Sequence, residues 1–271
     1  CRTHRRGMLR AFSKSSPSCL AADKVSETPA EMWEEVLSKS FFRDWAQWLV
    51  DTFSKEFDAI DEEQVPVNLL ARQGRNNSAI ATRLLLLRDG SRELGRLRIT
   101  LVDAGEQIQA LNAAVYPNSM CGPLPLMGVD ILSLGGGKRL LFGTDWSPLF
   151  STAAYQDEYI APFLSEWREQ NSAFLEEPST RFYGENPEFF SKCIFFSRPG
   201  NVDELQPGSD LWKVFQGYCE RYAARLHAAE FTAEPEDVAL VRERHAAYDQ
   251  WHAERDPAIA VFKGLFGTDW T

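Results

Sequence analysis

Apolar and polar positions recur along this chain with two different periods, and the changes of period divide it into segments. From Thr28 the apolar residues Trp33, Val36, Leu37, Phe41, Trp45, Trp48, Leu49 and Phe53 fall at helical spacing. Thr28-Pro29-Ala30-Glu31 is a capping box with proline at the first helical position. The spacing predicts helix over about 29–58, open to a break near 40, with the aromatic stripe packed in a core. After a polar loop at 72–78 the period becomes two. Leu84–Leu87 is a short buried run, Asp89-Gly90 suits a turn, and over Leu94–Val102 the residues Leu97, Ile99 and Leu101 alternate with Arg96, Arg98 and Thr100. Ile108, Ala110 and Asn112 share one face of 107–116. Runs at 126–133 and 138–146 follow, joined by the hairpin turn Gly135-Gly136-Gly137, and Ile194–Ser197 makes a sixth strand. Consecutive strands with short turns predict antiparallel pairing.

Helical spacing returns at about 155–176 (Tyr159, Phe163, Trp167, Phe174) and dominates after Asp210, where Leu211, Val214, Phe215, Tyr218, Tyr222 and Leu226 form one stripe. A further helix over about 234–254 carries Val238, Val241, His245, Tyr248 and His252, and an apolar stretch runs from Ile259 to Trp270. Strands in the middle with helices at both ends give an α+β layout, helices packed on the sheet, with 28–271 as a single domain. Phe-Gly-Thr-Asp-Trp occurs at 142–146 and again at 266–270, but nothing flanking it is similar, so it reads as coincidence.

Composition narrows the function classes. The chain has 271 residues, 44% hydrophobic and 25% charged, which suits a globular domain able to bury a sizeable core. No apolar run approaches the ~20 residues that span a bilayer, so no membrane segment is expected. A net charge of -10 argues against nucleic acid as a partner. The five cysteines show no CxxC spacing and the four histidines no ligand pairing, so neither a metal site nor a disulfide framework is expected. Gly135–Gly137 is not a phosphate loop, because no helix start or Lys-Ser/Thr follows at the required spacing. Residues 1–27 form a leader: Arg2, Arg5, Arg6, Arg10 and Lys14 precede the first acid, Asp23, among several serines. That composition fits an organelle transit segment or a disordered basic tail.

Two acids are candidates for chemistry. If 126–133 is a strand, Leu126, Gly128, Asp130 and Leu132 share a face, with Met127, Val129 and Ile131 on the other. Both faces are apolar enough to be covered, so Asp130 is expected to point into an interior, where desolvation raises a carboxyl pKa and lets it hold a transferable proton. A strand-end Asp satisfied by backbone donors is the alternative. Asp256 precedes Pro257, which biases it out of helix, so it is either a cap for the next helix or a group facing a pocket. His252, one turn earlier, is a possible proton partner for it, or a packed helical histidine. A pair of buried acids fits a glycosidase, a paired-carboxylate protease or the proton donors of a reductase, and their separation in sequence does not choose among these.

The local wording does choose. Val102-Asp103-Ala104-Gly105, Asn112 with Val115-Tyr116-Pro117, Leu126-Met127-Gly128-Val129-Asp130-Ile131-Leu132, Ala253-Glu254-Arg255-Asp256-Pro257-Ala258 and Phe266-Gly267-Thr268-Asp269-Trp270, in this order, resemble the ferredoxin-dependent bilin reductases. The match runs from about 80 to 271, with a loosely similar helical lead-in. It implies a three-layer α/β/α sandwich with a central antiparallel sheet, and a linear tetrapyrrole lying between the sheet and the C-terminal helices. It also implies no bound cofactor: an external [2Fe-2S] ferredoxin supplies single electrons and the protein supplies protons to a substrate radical. Within the family the wording is most similar to members that reduce biliverdin IXα at the C15=C16 bond to 15,16-dihydrobiliverdin, in phycobilin biosynthesis. Phycoerythrobilin- or phycourobilin-forming members, and a bilin carrier without reductase activity, are the alternatives.

Residue by residue, the resemblance makes Asp130 the central proton donor and Asp256 the second acid. Asn112 stands where the phycocyanobilin-forming member has His, and Thr100 where it has a catalytic Glu, so that reaction is not expected. Arg181, by its offset from Phe196-Ser197-Arg198-Pro199, matches an arginine that contacts a propionate. Leu126, Met127, Asn112, Thr100 and His252 complete the expected substrate contacts. Other expectations are a monomer in the plastid (chloroplast) stroma, handing product to the next bilin reductase. Family chains continue beyond the position of Thr271, so a truncated C-terminus is expected. Because the chain is acidic overall, docking of an acidic ferredoxin calls for a local positive face. Arg72, Arg75, Arg83, Arg88, Arg92, Arg96 and Arg98 are the candidates for it.

Overall fold

In the computed structural model, which describes residues 28–62, 65–178, 188–231, 234–256 and 258–268, the first helical stripe folds as two helices. These are α1 (Pro29–Lys39) and α2 (Arg43–Glu56). Thr28 and Glu31 close the expected capping box at the start of α1. The break falls at Ser40, whose backbone is extended and whose hydroxyl accepts the Phe42 amide at 3.1 Å. The leader expected over 1–27 lies outside the described residues.

The strands are β1 (Ile60–Asp61), β2 (Ala71–Gln73), β3 (Ala79–Asp89), β4 (Arg92–Asp103), β5 (Ile108–Pro117), β6 (Leu126–Leu134), β7 (Arg139–Ser147) and β8 (Phe195–Ser197). A four-residue helix α3 (Val67–Leu70) precedes β2. Every pairing is antiparallel, in the order β1-β3-β4-β5-β6-β7-β8, with β2 also on β3. β1 and β2 were not expected: two or three residues are too few to show a period. The run at 84–87 extends to the eleven residues of β3. Gly135, Gly136 and Gly137 all take positive φ (63°, 66° and 86°), which a hairpin of this tightness asks of its turn residues.

The remaining helices are α4 (Ala153–Tyr159), α5 (Ala161–Gln170), α6 (Asp210–His227), α7 (Pro235–Arg255) and α8 (Ala258–Phe266). The single helix expected over 155–176 is thus divided at Ile160. Pro162 has no amide hydrogen to continue the ladder, and the end of the predicted stretch is a 3₁₀ turn at Ser172–Phe174.

The sheet separates two helical layers. One face carries Leu97, Ile99, Leu111, Ala113, Met127, Val129, Ile131 and Phe142 into the main core. There Trp45 of α2 meets Phe142 at 5.7 Å and Phe215 of α6 at 4.7 Å. The other face is covered in two places. At one end Ile80, Val102, Ile108 and Ala110 pack with Leu265 and Phe266 of α8. At the other, Tyr116 of β5 meets His245 and Tyr248 of α7 edge-on, at 6.0 and 6.1 Å. Between them, beneath the α7–α8 junction, the sheet presents polar residues. This is the three-layer α/β/α sandwich expected from the sequence.

Candidate functional site

Two tyrosines fix where β6 begins. Tyr155 donates to the Pro123 carbonyl at 2.7 Å and Tyr222 to the Pro125 carbonyl at 2.6 Å, immediately before Leu126. From there the register is rigid. Thr82, Thr100, Asn112, Asp130 and Gly143 stand opposite one another in turn across β3 to β7, so they form one row on one face. The Thr82 and Thr100 hydroxyls are 2.9 Å apart. Gly143, itself buried, contributes no side chain to the row.

Asp130 does not enter a closed interior. It lies exposed on the floor of the cleft between the sheet and the α7–α8 layer, with protein around it except where the cleft opens. Its carboxyl is pushed up to about 6 by this partial loss of water first, and further by the nearby Asp256, against the lowering effects of Asn112 and Arg98. The hydrogen bonds are directional. Arg98 Nη2 donates to Asn112 Oδ1 at 2.6 Å, and Asn112 Nδ2 donates to Asp130 Oδ1 at 2.9 Å. Guanidinium can only donate, so the Asn112 amide must turn its nitrogen to Asp130. A proton on Asp130 therefore belongs on Oδ2.

Asp256 ends α7 and accepts the Ala258 amide at 2.7 Å, so it does cap the following helix. It also faces the cleft, near enough to raise Asp130, and burial raises its own pKa. Capping, one of the two readings the sequence left open, is made by the Ala258 hydrogen bond, and Asp256 also lies close enough to Asp130 to raise its pKa.

His252 sits with Tyr248 at 4.2 Å, Trp251 at 4.9 Å and Phe190 at 5.6 Å between ring centroids. Burial, and after it the Arg98 charge, pushes its pKa down to about 4, so it is neutral at pH 7 and shapes the cleft wall. Leu126 and Met127 are fully buried in the main core, Met127 on the opposite face from Asp130, so neither borders the open cleft. Arg181 lies outside the described residues. Thr100 and Asn112 are half-buried in the polar row.

Three residues join the site without having been singled out for it. In sequence, Arg98 reads as one of the docking arginines, Tyr116 as part of Val115-Tyr116-Pro117 and Tyr248 as one position of a helix. Tyr116 donates to Asp249 of α7 at 2.7 Å, and Tyr248 is buried beside Asp130. Strand alternation was the available signal, since Arg98, Thr100 and Val102 share a face. Which face would hold the cleft depended on the third layer.

The arginine cluster does not make one free positive face. Arg83 lies on the opposite sheet face from Arg98 and pairs with Asp61 at 2.8 Å. Arg92 pairs with Asp89, and Arg96 lies 3.3 Å from Glu62 and 3.7 Å from Glu93. Among the described residues, no group of three or more His, Cys, Asp or Glu side chains could hold a metal ion.

A family model described as ferredoxin-dependent bilin reductase matches residues 36–271. The 15,16-dihydrobiliverdin:ferredoxin oxidoreductase of Nostoc punctiforme is 32% identical over 232 residues, covering 84% of this chain and 90% of that protein. The protein of the same name from Gloeobacter violaceus is 28% identical over 232 residues, with the same coverage of 84% and 90%. Among solved structures, phytochromobilin synthase from tomato in complex with biliverdin is similar with a TM-score of 0.68, over 84% of this chain and 78% of that one. At 16% sequence identity, that likeness shows the fold.

Proposed function

The chain belongs to the ferredoxin-dependent bilin reductase family, and from that premise we propose that it reduces biliverdin IXα at the C15=C16 bond to 15,16-dihydrobiliverdin. Relatives at about 28–32% identity over most of their length carry that activity in their names. The observation that carries the mechanism is the orientation of Asp130: one oxygen accepts from Asn112, and the other makes no hydrogen bond among the described residues.

The reaction balances as two electrons, arriving singly from ferredoxin, and two protons, forming one new C–H bond at each end of the former double bond. A bilin offers apolar ring faces to the cleft and a row of pyrrole nitrogens to the polar strand row. Filling the cleft removes the water that now reaches Asp130, which raises its pKa further and keeps Oδ2 protonated at neutral pH. Asp130 then hands its proton to the substrate radical formed by the first electron. Asp256, at the junction of two helices, serves the second transfer. His252, Tyr248 and Phe190 hold the wall, and the neutral His252 adds no competing charge.

The direct test is anaerobic turnover with biliverdin IXα and chemically reduced ferredoxin, with the product separated by chromatography. A single dihydro product reduced at C15=C16 supports the reading. Exhaustive conversion to phycoerythrobilin would make the chain a four-electron member of the family, and a bound spectrum that never bleaches would make it a carrier.

A further inference from the structure

Arg98 is the charge that the site shares. It reaches Asn112 from β4, two residues before Thr100, and its Nε is buried with no hydrogen-bond acceptor among the described residues. Its field bears on Asp130, Asp256, His252, Tyr116 and Tyr248 together. A half-buried guanidinium donating to a neutral amide, when two carboxylates are close by, is an unusual use of a cation.

We propose that Arg98 is the positioning residue of the site: by holding the Asn112 carboxamide in one orientation, it makes Asp130 Oδ1 the acceptor and leaves Oδ2 as the oxygen that carries the proton into the cleft. The proposal rests on the reading of Asp130 as proton donor. Without Arg98 the Asn112 amide can turn over and offer its own oxygen to Asp130. The carboxyl must then donate to it, and its proton is held between two protein atoms rather than presented to substrate.

The groups that could produce a similar effect are few. Among the described residues, Asp130 is faced by Arg98 from β4, Asn112 from β5, Tyr248 from α7 and Asp256 at the junction, with His252 beside Tyr248. β7 contributes Gly143 opposite Asp130, and the one charged residue of α8, Lys263, is exposed. Of the groups facing Asp130 among the described residues, only Arg98 is cationic at neutral pH.

The test is the titration of Asp130 in the free protein, read from carboxyl carbon resonances of 13C-labelled aspartate and assigned by the signal lost in Asp130→Asn. In Arg98→Gln the midpoint is expected to rise by about one unit or more, with Arg98→Lys returning it most of the way. The pH profile of single-turnover bilin reduction should move with it, and the rate at neutral pH should fall at least about tenfold. If Arg98→Gln does not fold, Asn112→Leu cuts the same relay from the other end and should raise the midpoint too. A folded Arg98→Gln protein whose Asp130 titrates as in wild type overturns the proposal. So does an Asn112→Leu protein with an unchanged midpoint. Failure of the proton-donor reading would look different: the titration would move as expected while turnover and its pH profile stayed as in wild type.

Discussion

Asn112 and Asp130 stand directly opposite each other on β5 and β6, the carboxamide Nδ2 2.9 Å from the carboxylate Oδ1. The pair turns a strand register into a chemical constraint. Any slip of β6 by one residue would send Asp130 into the main core and bring Val129 or Ile131 to the cleft.

The Asp130 carboxyl, at about 6, sets the expected pH dependence of the chemistry. The donor works protonated. In single-turnover experiments with saturating bilin, the first proton transfer should slow about tenfold per pH unit above the bound-state pKa and level off below it. Stopped-flow absorbance between pH 6 and 9 checks this. A rate rising with pH would assign Asp130 to base catalysis.

Stability should respond in the acidic range. Asp130 and the buried Asp145 both hold their protons to about 6 when folded, in each case chiefly because of burial, whereas an unfolded Asp releases its proton near 3.9. Between these values the two carboxyls bind more protons in the folded state, so their contribution to stability falls as pH rises from ~4 to ~6, while His252, held down to about 4 by burial, contributes in the opposite sense. Water at the cleft discounts the Asp130 share, so Asp145 carries most of the carboxyl contribution, roughly 3 kcal/mol. Urea unfolding at constant ionic strength measures it. The stability of wild type relative to Asp145→Asn should fall by about that amount between pH ~4 and ~6.

Asp256 has two roles that substitution can separate. Asparagine keeps the cap on α8 and alanine does not. Asp256→Ala should cost about 1 kcal/mol of stability and Asp256→Asn much less. Both should slow product formation after the first radical has decayed. Thermal unfolding and rapid-scan spectra of the two variants distinguish capping from proton delivery.

Gly217 lies inside α6, where alanine ordinarily stabilises by about 0.5–1 kcal/mol. Here a Cβ would meet Trp167 Cε2 at 2.3 Å and Nε1 at 2.4 Å. Gly217→Ala should therefore lose about 1–3 kcal/mol in urea unfolding. An increase in stability would mean that α5 and α6 pack less closely than described.

Much of the fold was readable because its signals are local. Thr28 and Glu31 announce α1, the alternation of Leu97, Ile99 and Leu101 gives β4, and Gly135–Gly137 marks the hairpin. Pro162 marks a helix break that the aromatic spacing around it masks. The placement of Asp130 on the correct sheet face followed from alternation, but its exposure did not. Apolar neighbours on both sides suggested a closed interior, whereas only the middle of that face is left open, between α7 and α8. Leu126 and Met127 resembled pocket residues because they flank the motif, yet the core claims them. Arg98 shows the converse. Its charge suggested a surface, and only the register with Asn112 turns it inward.

The most direct test of Asp130 as the proton donor is electron paramagnetic resonance of Asp130→Asn mixed with biliverdin IXα and reduced ferredoxin. Asparagine keeps the shape and the hydrogen-bonding partner but has no transferable proton. Binding should persist, one electron should enter, and a long-lived bilin radical should accumulate while product formation drops by roughly 100-fold or more. Wild-type turnover in Asp130→Asn, with no accumulated radical, would contradict the assignment.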